Sequence, residues 1–256
     1  MHRRYYFPMP DIKKIVQDSY TEIASQSKKP CCGGGCGCKS KQSISSQIGY
    51  TADQLAAVGA ADMGLGCGNP TAFQRIKPGD TVVDLGCGGG IDCFLAAKQA
   101  GPTGRVIGID FTQAMIAQAQ VNAQKGGYTN VDFTLGDIEQ LPLADNSVDV
   151  VISNCVINLA PDKQKVFREA WRVLKPGGIL CVSDIVLLAE LTLEQRNDEA
   201  LIAGCVGGAL LKDAYLELVR NAGFTVRILA ENASISKQQY QGIPLESMLV
   251  EAMKTR

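Results

Sequence analysis

In the stretch Thr81-Val82-Val83-Asp84-Leu85-Gly86-Cys87-Gly88-Gly89-Gly90-Ile91-Asp92, a β-rich run ends on a carboxylate and passes into four glycines before a helical pattern begins. Open parallel sheets bind ligands at the carboxyl ends of their strands, where the strand order reverses. Glycines at that point let the backbone turn tightly and approach a ligand closely. The spacing differs from the G-x-G-x-x-G of dinucleotide folds because position 91 is isoleucine, and a glycine loop alone is weak evidence.

Working outward, β-rich runs at Arg105–Ile109, Val131–Leu135, Val148–Ser153 and Ile179–Asp184 alternate with helical patterns at Ile91–Gln99, Thr112–Gln124 and Asp162–Leu174. That alternation predicts an α/β domain with a parallel sheet and crossover helices. Lys175-Pro176-Gly177-Gly178 is read as the stop of the third helix. Asp110 closes the second strand, where a carboxylate can accept both hydroxyls of a ribose. Gly136-Asp137-Ile138-Glu139 follows the third strand, with Leu141-Pro142 just beyond. Later segments predict a helical pair at Thr192–Ala203 and Lys212–Ala222, then strands at Thr225–Leu229 and Ser247–Met253.

Before this regular region, residues 1–46 form a separate compositional unit rich in Lys and Arg. Ile12–Ser25 can form a helix with Ile12, Ile15, Val16, Tyr20 and Ile23 on one face. Cys31-Cys32-Gly33-Gly34-Gly35-Cys36-Gly37-Cys38 carries too much glycine for a regular element and is expected to be a flexible, thiol-bearing loop. The expected organisation is this N-terminal unit, a core over 47–184, and a C-terminal cap with final sheet strands over 185–256.

Inventory narrows the chemistry. The 256 residues are 46% hydrophobic and 20% charged, with a net charge of −1, so no basic face for nucleic acid is expected. No apolar run of membrane-spanning length occurs and no secretory signal opens the chain, which predicts a soluble cytoplasmic protein with reduced cysteines. The one histidine is His2, so a Cys-His nucleophile, a Ser-His-Asp arrangement and a two-histidine metal site are excluded. Ten cysteines remain, and three lie far apart in Gly/Asn settings: Gly66-Cys67-Gly68-Asn69-Pro70, Asn154-Cys155-Val156-Ile157-Asn158-Leu159 and Gly204-Cys205-Val206-Gly207-Gly208. Spacings this long exclude a local metal knuckle. Any shared site has to be assembled by the fold. Cys93 and Cys181 are read as packing residues.

Across residues 78–184 the ordered landmarks resemble the class I S-adenosylmethionine-dependent methyltransferases. That resemblance implies a Rossmann-like fold with a mostly parallel seven-stranded sheet and helices on both faces. It places Asp84, Gly86 and Gly88 around the methionine moiety of the cofactor, Asp110 on the ribose, and Asp137 and Ile138 on the adenine, with Phe111 or Met115 packed on its face. Cys87 stands where many relatives have serine, which puts a thiol in the cofactor loop.

From Gly49 to Ala209 the chain resembles the arsenite S-adenosylmethionine methyltransferases. The resemblance implies that Cys67, Cys155 and Cys205 bind trivalent arsenic or methylarsenite, and that Asn154 sits near the sulfonium. It also implies a reductant, glutathione or thioredoxin. Cys38 or Cys36 is the expected relay or arsenic-capture thiol, although metal storage or a non-essential tail fits the same segment. Two rival functions share the motifs: methylation of an organic acceptor such as a quinone precursor, and metalloid sequestration without catalysis. With no coiled-coil pattern, a monomer is expected.

Overall fold

The β-rich runs become parallel strands β1 (Thr81–Leu85), β2 (Arg105–Asp110), β3 (Val131–Leu135), β4 (Val148–Asn154) and β5 (Leu174–Leu187). β6 (Phe224–Asn232) and β7 (Leu245–Lys254) complete a seven-stranded sheet of order β3-β2-β1-β4-β5-β7-β6, in which β7 runs antiparallel to both neighbours. The computed structural model describes residues 11–26, 44–72, 75–235, 240 and 242–255. Cys31, Cys32, Cys36 and Cys38 lie outside the described residues.

Strand order reverses between β1 and β4: the chain builds outward through β2 and β3, then returns to the other side of β1. Both sheet faces are covered. Val83, Leu85, Ile107, Ile109 and Val151 enter one apolar cluster, while Val82, Val106, Val150 and Ile152 enter another with Cys93, Ala96 and Ala97. Side chains alternate along a strand, so continuous apolar runs such as Val82-Val83 feed both faces. Each fully buried Leu or Ile contributes about 1.5–3 kcal/mol. Connecting helices are α4 (Ile91–Ala100), α5 (Gln113–Gly126) and α6 (Lys163–Val173), with α9 (Lys212–Asn221) before β6.

Several boundaries differ from expectation. Lys175-Pro176-Gly177-Gly178 lies inside β5: α6 ends at Val173, and β5 pairs from Leu174. The register jumps there from Val148↔Leu174 to Val150↔Ile179, so the Pro-Gly segment is a bulge. Pro176 has no N–H for the ladder, and Gly177 takes φ 80°, which explains why a helix-stop motif sits in a strand. The helix expected over Thr192–Ala203 splits into α7 (Leu193–Asn197) and α8 (Glu199–Ala203), because Asp198 is extended and its carboxylate caps the Leu201 N–H. Two short helices unforeseen in the sequence, α2 (Ile44–Gln47) and α3 (Ala52–Val58), lead into the core.

Helix α1 (Ile12–Gln26) forms as the apolar spacing predicts and packs against α5 and α8. Val16 is buried in the core, and Lys13 Nζ pairs with Asp137 at 2.6 Å and Glu139 at 3.2 Å. Among the described residues no helix is long and apolar enough to cross a membrane.

Candidate functional site

At the strand reversal, Gly86 takes φ 68°, and a Cβ there would sit 2.2 Å from Val156 Cγ2. Only glycine fits so close to the turn after β4. Its N–H and that of Cys87 both donate to the Ile109 carbonyl, at 2.7 and 3.0 Å, pinning the loop to β2. Asp110 is held by two backbone donors, Gly88 N–H to Oδ2 at 3.0 Å and Thr112 N–H to Oδ1 at 2.8 Å. Each oxygen retains a lone pair for a ligand.

A cleft is lined by Asp84, the 86–89 loop, Asp92, Asp110, Phe111, Asn154 and Cys155. It adjoins a small apolar pocket between Phe111, Asp137, Ile138 and Leu159. Of the two side chains expected on the adenine face, Phe111 lines both spaces. Met115 lines neither, because it lies one turn into α5 with its side chain fully buried in the core. Val16 and Tyr20 of α1 form part of the cleft wall, and Lys13 lines the adjoining pocket.

Three carboxylates crowd this cleft. Burial pushes Asp84 well up, and the charges of Asp92 and Asp110 add to that rise. Burial raises Asp92 to about 6 despite hydrogen bonds from the Tyr50 hydroxyl and Asn154. Asp110 is also raised by burial. Among the described residues, none of the three has an ion-pair partner within 4.0 Å. Uncompensated buried negative charge is costly, and a bound cation relieves it.

The fold also assembles the cysteines. Cys155 follows β4 directly and Cys205 follows α8; both are in the left-handed region, at φ 58° and 66°, unusual for residues with a Cβ. The Cys155 N–H bonds to the Ser183 carbonyl of β5 at 2.8 Å, fixing that turn. Sulfurs of Cys67 and Cys155 and a carboxylate oxygen of Asp184 lie within 4.8 Å of one another. The Cys205 thiol donates to the Cys155 carbonyl and also neighbours the Cys155 sulfur. Burial drives the Cys155 thiol well up, as do the adjoining Cys205 and Cys67, and burial raises Cys67 too. These two groups therefore rest as neutral thiols.

Asn154 ties the cysteines to the cleft. Its Oδ1 accepts from the Cys67 N–H at 3.1 Å, while Nδ2 is shared between the Tyr50 hydroxyl, the Gly68 carbonyl and Asp92 at 2.8, 2.8 and 3.0 Å. The Gly66–Gly68 backbone presses so closely that a Cβ on Gly68 would sit 1.9 Å from Ser183 Oγ. Gly68→Ala is expected to cost about 1–3 kcal/mol of stability, measured by urea unfolding. Adding Ser183→Ala, which removes the clashing oxygen, should recover part of that loss.

Sequence inspection missed Asp184, Asp92, Tyr50 and Tyr20 as members of the site. Asp184 is fully buried, pushed up to about 7 by that burial, and accepts from Asn158 Nδ2 and the Tyr215 hydroxyl, each at 3.0 Å. The available signal was a lone carboxylate inside the apolar run of β5. Tyr20 arrives from α1 beside Cys205, which no local pattern foretells. Cys181 is buried in an apolar cluster, as expected of a packing residue. Cys93 is buried there too, but its thiol also donates to Asp84 at 3.2 Å.

A glycine-rich turn after β1, a carboxylate ending β2, an apolar slot after β3 and an acceptor side at the end of β4 define a class I methyltransferase fold. Residues 76–223 match the methyltransferase domain family, and the chain belongs to that family. It is 46% identical over 225 residues to the arsenite methyltransferase of Halobacterium salinarum, a match covering 84% of this chain and 57% of that protein. The human arsenite methyltransferase is 42% identical over 152 residues, covering 56% of this chain and 40% of that one. The chain thus spans about half the length of these curated relatives. The crystal structure of an arsenic(III) S-adenosylmethionine methyltransferase from Chlamydomonas reinhardtii superposes with a TM-score of 0.62 at 29% identity, over 98% of this chain and 75% of that one. The resemblance carried by the cysteine motifs is borne out by these similarities.

Proposed function

We propose that this protein transfers a methyl group from S-adenosylmethionine to trivalent arsenic held by Cys67, Cys155 and Cys205, an arsenite methylation that would serve detoxification. The observation that carries this is the meeting of three sequence-remote cysteines beside the cleft at the end of β4. Soft thiolates select a thiophilic metalloid. Such a set is unnecessary for an organic acceptor.

The cleft fits the donor in charge and shape. Asp84, Asp92 and Asp110 offer negative charge to a cation bearing a sulfonium and an ammonium. Asp110 is placed for ribose hydroxyls, and the pocket of Phe111, Asp137 and Ile138 suits an adenine. Val16 and Tyr20 of α1 wall the cleft on the side of the acceptor cysteines.

S-adenosylmethionine supplies an electrophilic methyl when bound. Three thiolates leave the arsenic lone pair pointing outward, so attack removes no proton and needs no base. Holding the two reactants at attack distance in a dry site can contribute about 7–11 kcal/mol. Methylation oxidises arsenic, so a thiol reductant, glutathione or thioredoxin, is part of the proposal, with Cys38 as its relay.

The test incubates reduced protein with labelled S-adenosylmethionine and arsenite, then separates arsenic species. Labelled methylarsenicals are expected; their absence despite arsenite binding would favour sequestration. Donor affinity is expected to depend on pH. Asp92 is raised to about 6 in the free protein, so a cation that prefers its ionised form expels a proton on binding below that pH. Titration calorimetry should show affinity flat above about 7 and falling by up to about tenfold per unit below 6, with the dependence reduced in Asp92→Asn.

A further inference from the structure

Two cavities that share no lining residue approach the thiol cluster. Gly64, Leu65, Gly66 and Cys155 line the cofactor cleft. Cys67, Gly68, Asn69 and Ser183 line the other, a groove of about 250 Å³ that reaches the ends of β6 and β7 at Asn232 and Ser247. The segment Gly64–Asn69 is therefore a partition, with its first half on the cleft and its second half on the groove. At the cysteines the two cavities come together: Cys155 lines the cleft, Cys67 lines the groove, and their sulfurs lie within 4.8 Å of each other.

We propose that the groove is the entrance for the arsenic acceptor, a small neutral oxyacid of trivalent arsenic, which loads onto Cys67 independently of donor binding in the cleft. The proposal rests on the arsenite methylation put forward above. No Lys or Arg occurs among the groove's described lining residues, and Glu231 at its rim is paired with Lys212. An uncharged ligand suits such a lining better than an anion does, and the hydroxyls of Ser183 and Ser247 and the amide of Asn232 offer partners for As–OH groups. Arsenous acid has four heavy atoms and displaces on the order of 100 Å³, judged from about 30 Å³ per water. The groove accommodates a molecule of that size.

Loading balances without any other reagent. The Cys67 sulfur forms a bond to arsenic, one As–O bond breaks, and the thiol proton leaves with the hydroxide as water. Arsenic stays trivalent and no net charge is created. Repetition at Cys155 carries the metalloid through the partition to the cleft side, where the methyl donor is positioned. The partition itself is held rigid by Asn69, whose Nδ2 donates to the Gly49 carbonyl and Gln54 Oε1 at 3.2 and 3.1 Å, and by Ser247 Oγ, which donates to the Cys67 carbonyl at 2.6 Å.

Arsenite capture by the full, reduced chain can be followed by stopped-flow absorbance of the arsenic–thiolate bonds, with and without saturating S-adenosylhomocysteine. The parent is expected to capture arsenite at the same rate in both conditions. Ala72→Trp/Ala230→Trp fills the groove from two exposed positions and is expected to slow capture by at least about tenfold, while its affinity for S-adenosylhomocysteine stays parental. Ala72→Ser/Ala230→Ser should capture like the parent. Blocking of capture in the parent by S-adenosylhomocysteine would overturn the separate entrance, as would parental capture by the tryptophan variant. Failure of the parent to bind arsenite at all would instead overturn the underlying arsenite function.

Discussion

Cys155→Ser is expected to abolish methylarsenical formation, with a rate loss of at least about 100-fold, while S-adenosylmethionine binding is retained. Serine keeps the size and tolerates the φ of 58° about as well as cysteine, so β4 and its turn should hold their shape. What disappears is a sulfur that neighbours Cys67 and Cys205, on a residue that lines the cleft. A hydroxyl is a hard, weakly acidic ligand that does not hold trivalent arsenic against water. With two thiols left, the metalloid would lose one of its three proposed anchors. Product chromatography together with calorimetric donor binding checks both halves. Methylarsenicals at the parental rate from the variant would move an organic acceptor to first place.

Asn154→Ala should damage both stability and catalysis. The amide accepts from Cys67 and is shared among the Tyr50 hydroxyl, the Gly68 carbonyl and Asp92, all in a part-buried setting. Truncation leaves several of these groups unpaired, at about 1–3 kcal/mol for each that water does not reach. A net loss of about 2–3 kcal/mol in urea unfolding is expected. The partition also loses its tie to β4: a Cβ on Gly66 would lie 2.7 Å from Asn154 Nδ2, which shows how closely the amide fills the gap. Cys67 should then wander relative to Cys155. A displacement of about 1 Å can cost about 100-fold in rate. Asn154→Ala with parental arsenite affinity and turnover would show that the partition holds itself.

The two variants fail in different ways, and the difference reports how the site is built. In the proposed function Cys155 supplies a ligand atom, so its loss would be confined to the acceptor. Asn154 supplies none, and its loss spreads to the Tyr50–Asp92 pair on the donor side and to Cys67 on the acceptor side.

Much of the donor cleft was legible along the chain because its parts are consecutive. Asp84 through Gly90 lie on one turn, and Asp110 and Phe111 on the next, so strand periodicity followed by glycine locates them without long-range information. The choice between Phe111 and Met115 was not legible in that way. They are four residues apart, yet Met115 lies a turn inside α5 and is committed to the core. The Pro-Gly bulge of β5 reads as a helix stop for a similar reason, since a helix-stop motif and a strand bulge both need residues that leave a hydrogen-bond ladder.

By itself, the sequence determined the alternation of strands and helices, the glycine turn after β1, and the stock of thiols with no second histidine to compete for the chemistry. These are properties of residue type and short-range spacing, which act before any tertiary contact forms. Only the tertiary structure decided that Cys67, Cys155 and Asp184 share one buried point, that Tyr20 of α1 reaches Cys205 and Cys155, and that the segment Gly64–Asn69 runs between two cavities there. Those relations span up to 185 positions, from Tyr20 to Cys205, and the one from Cys67 to Asp184 closes only when β4 and β5 pair and the loop before β1 is drawn against their ends. The cause is the burial of both sheet faces, which no local pattern contains.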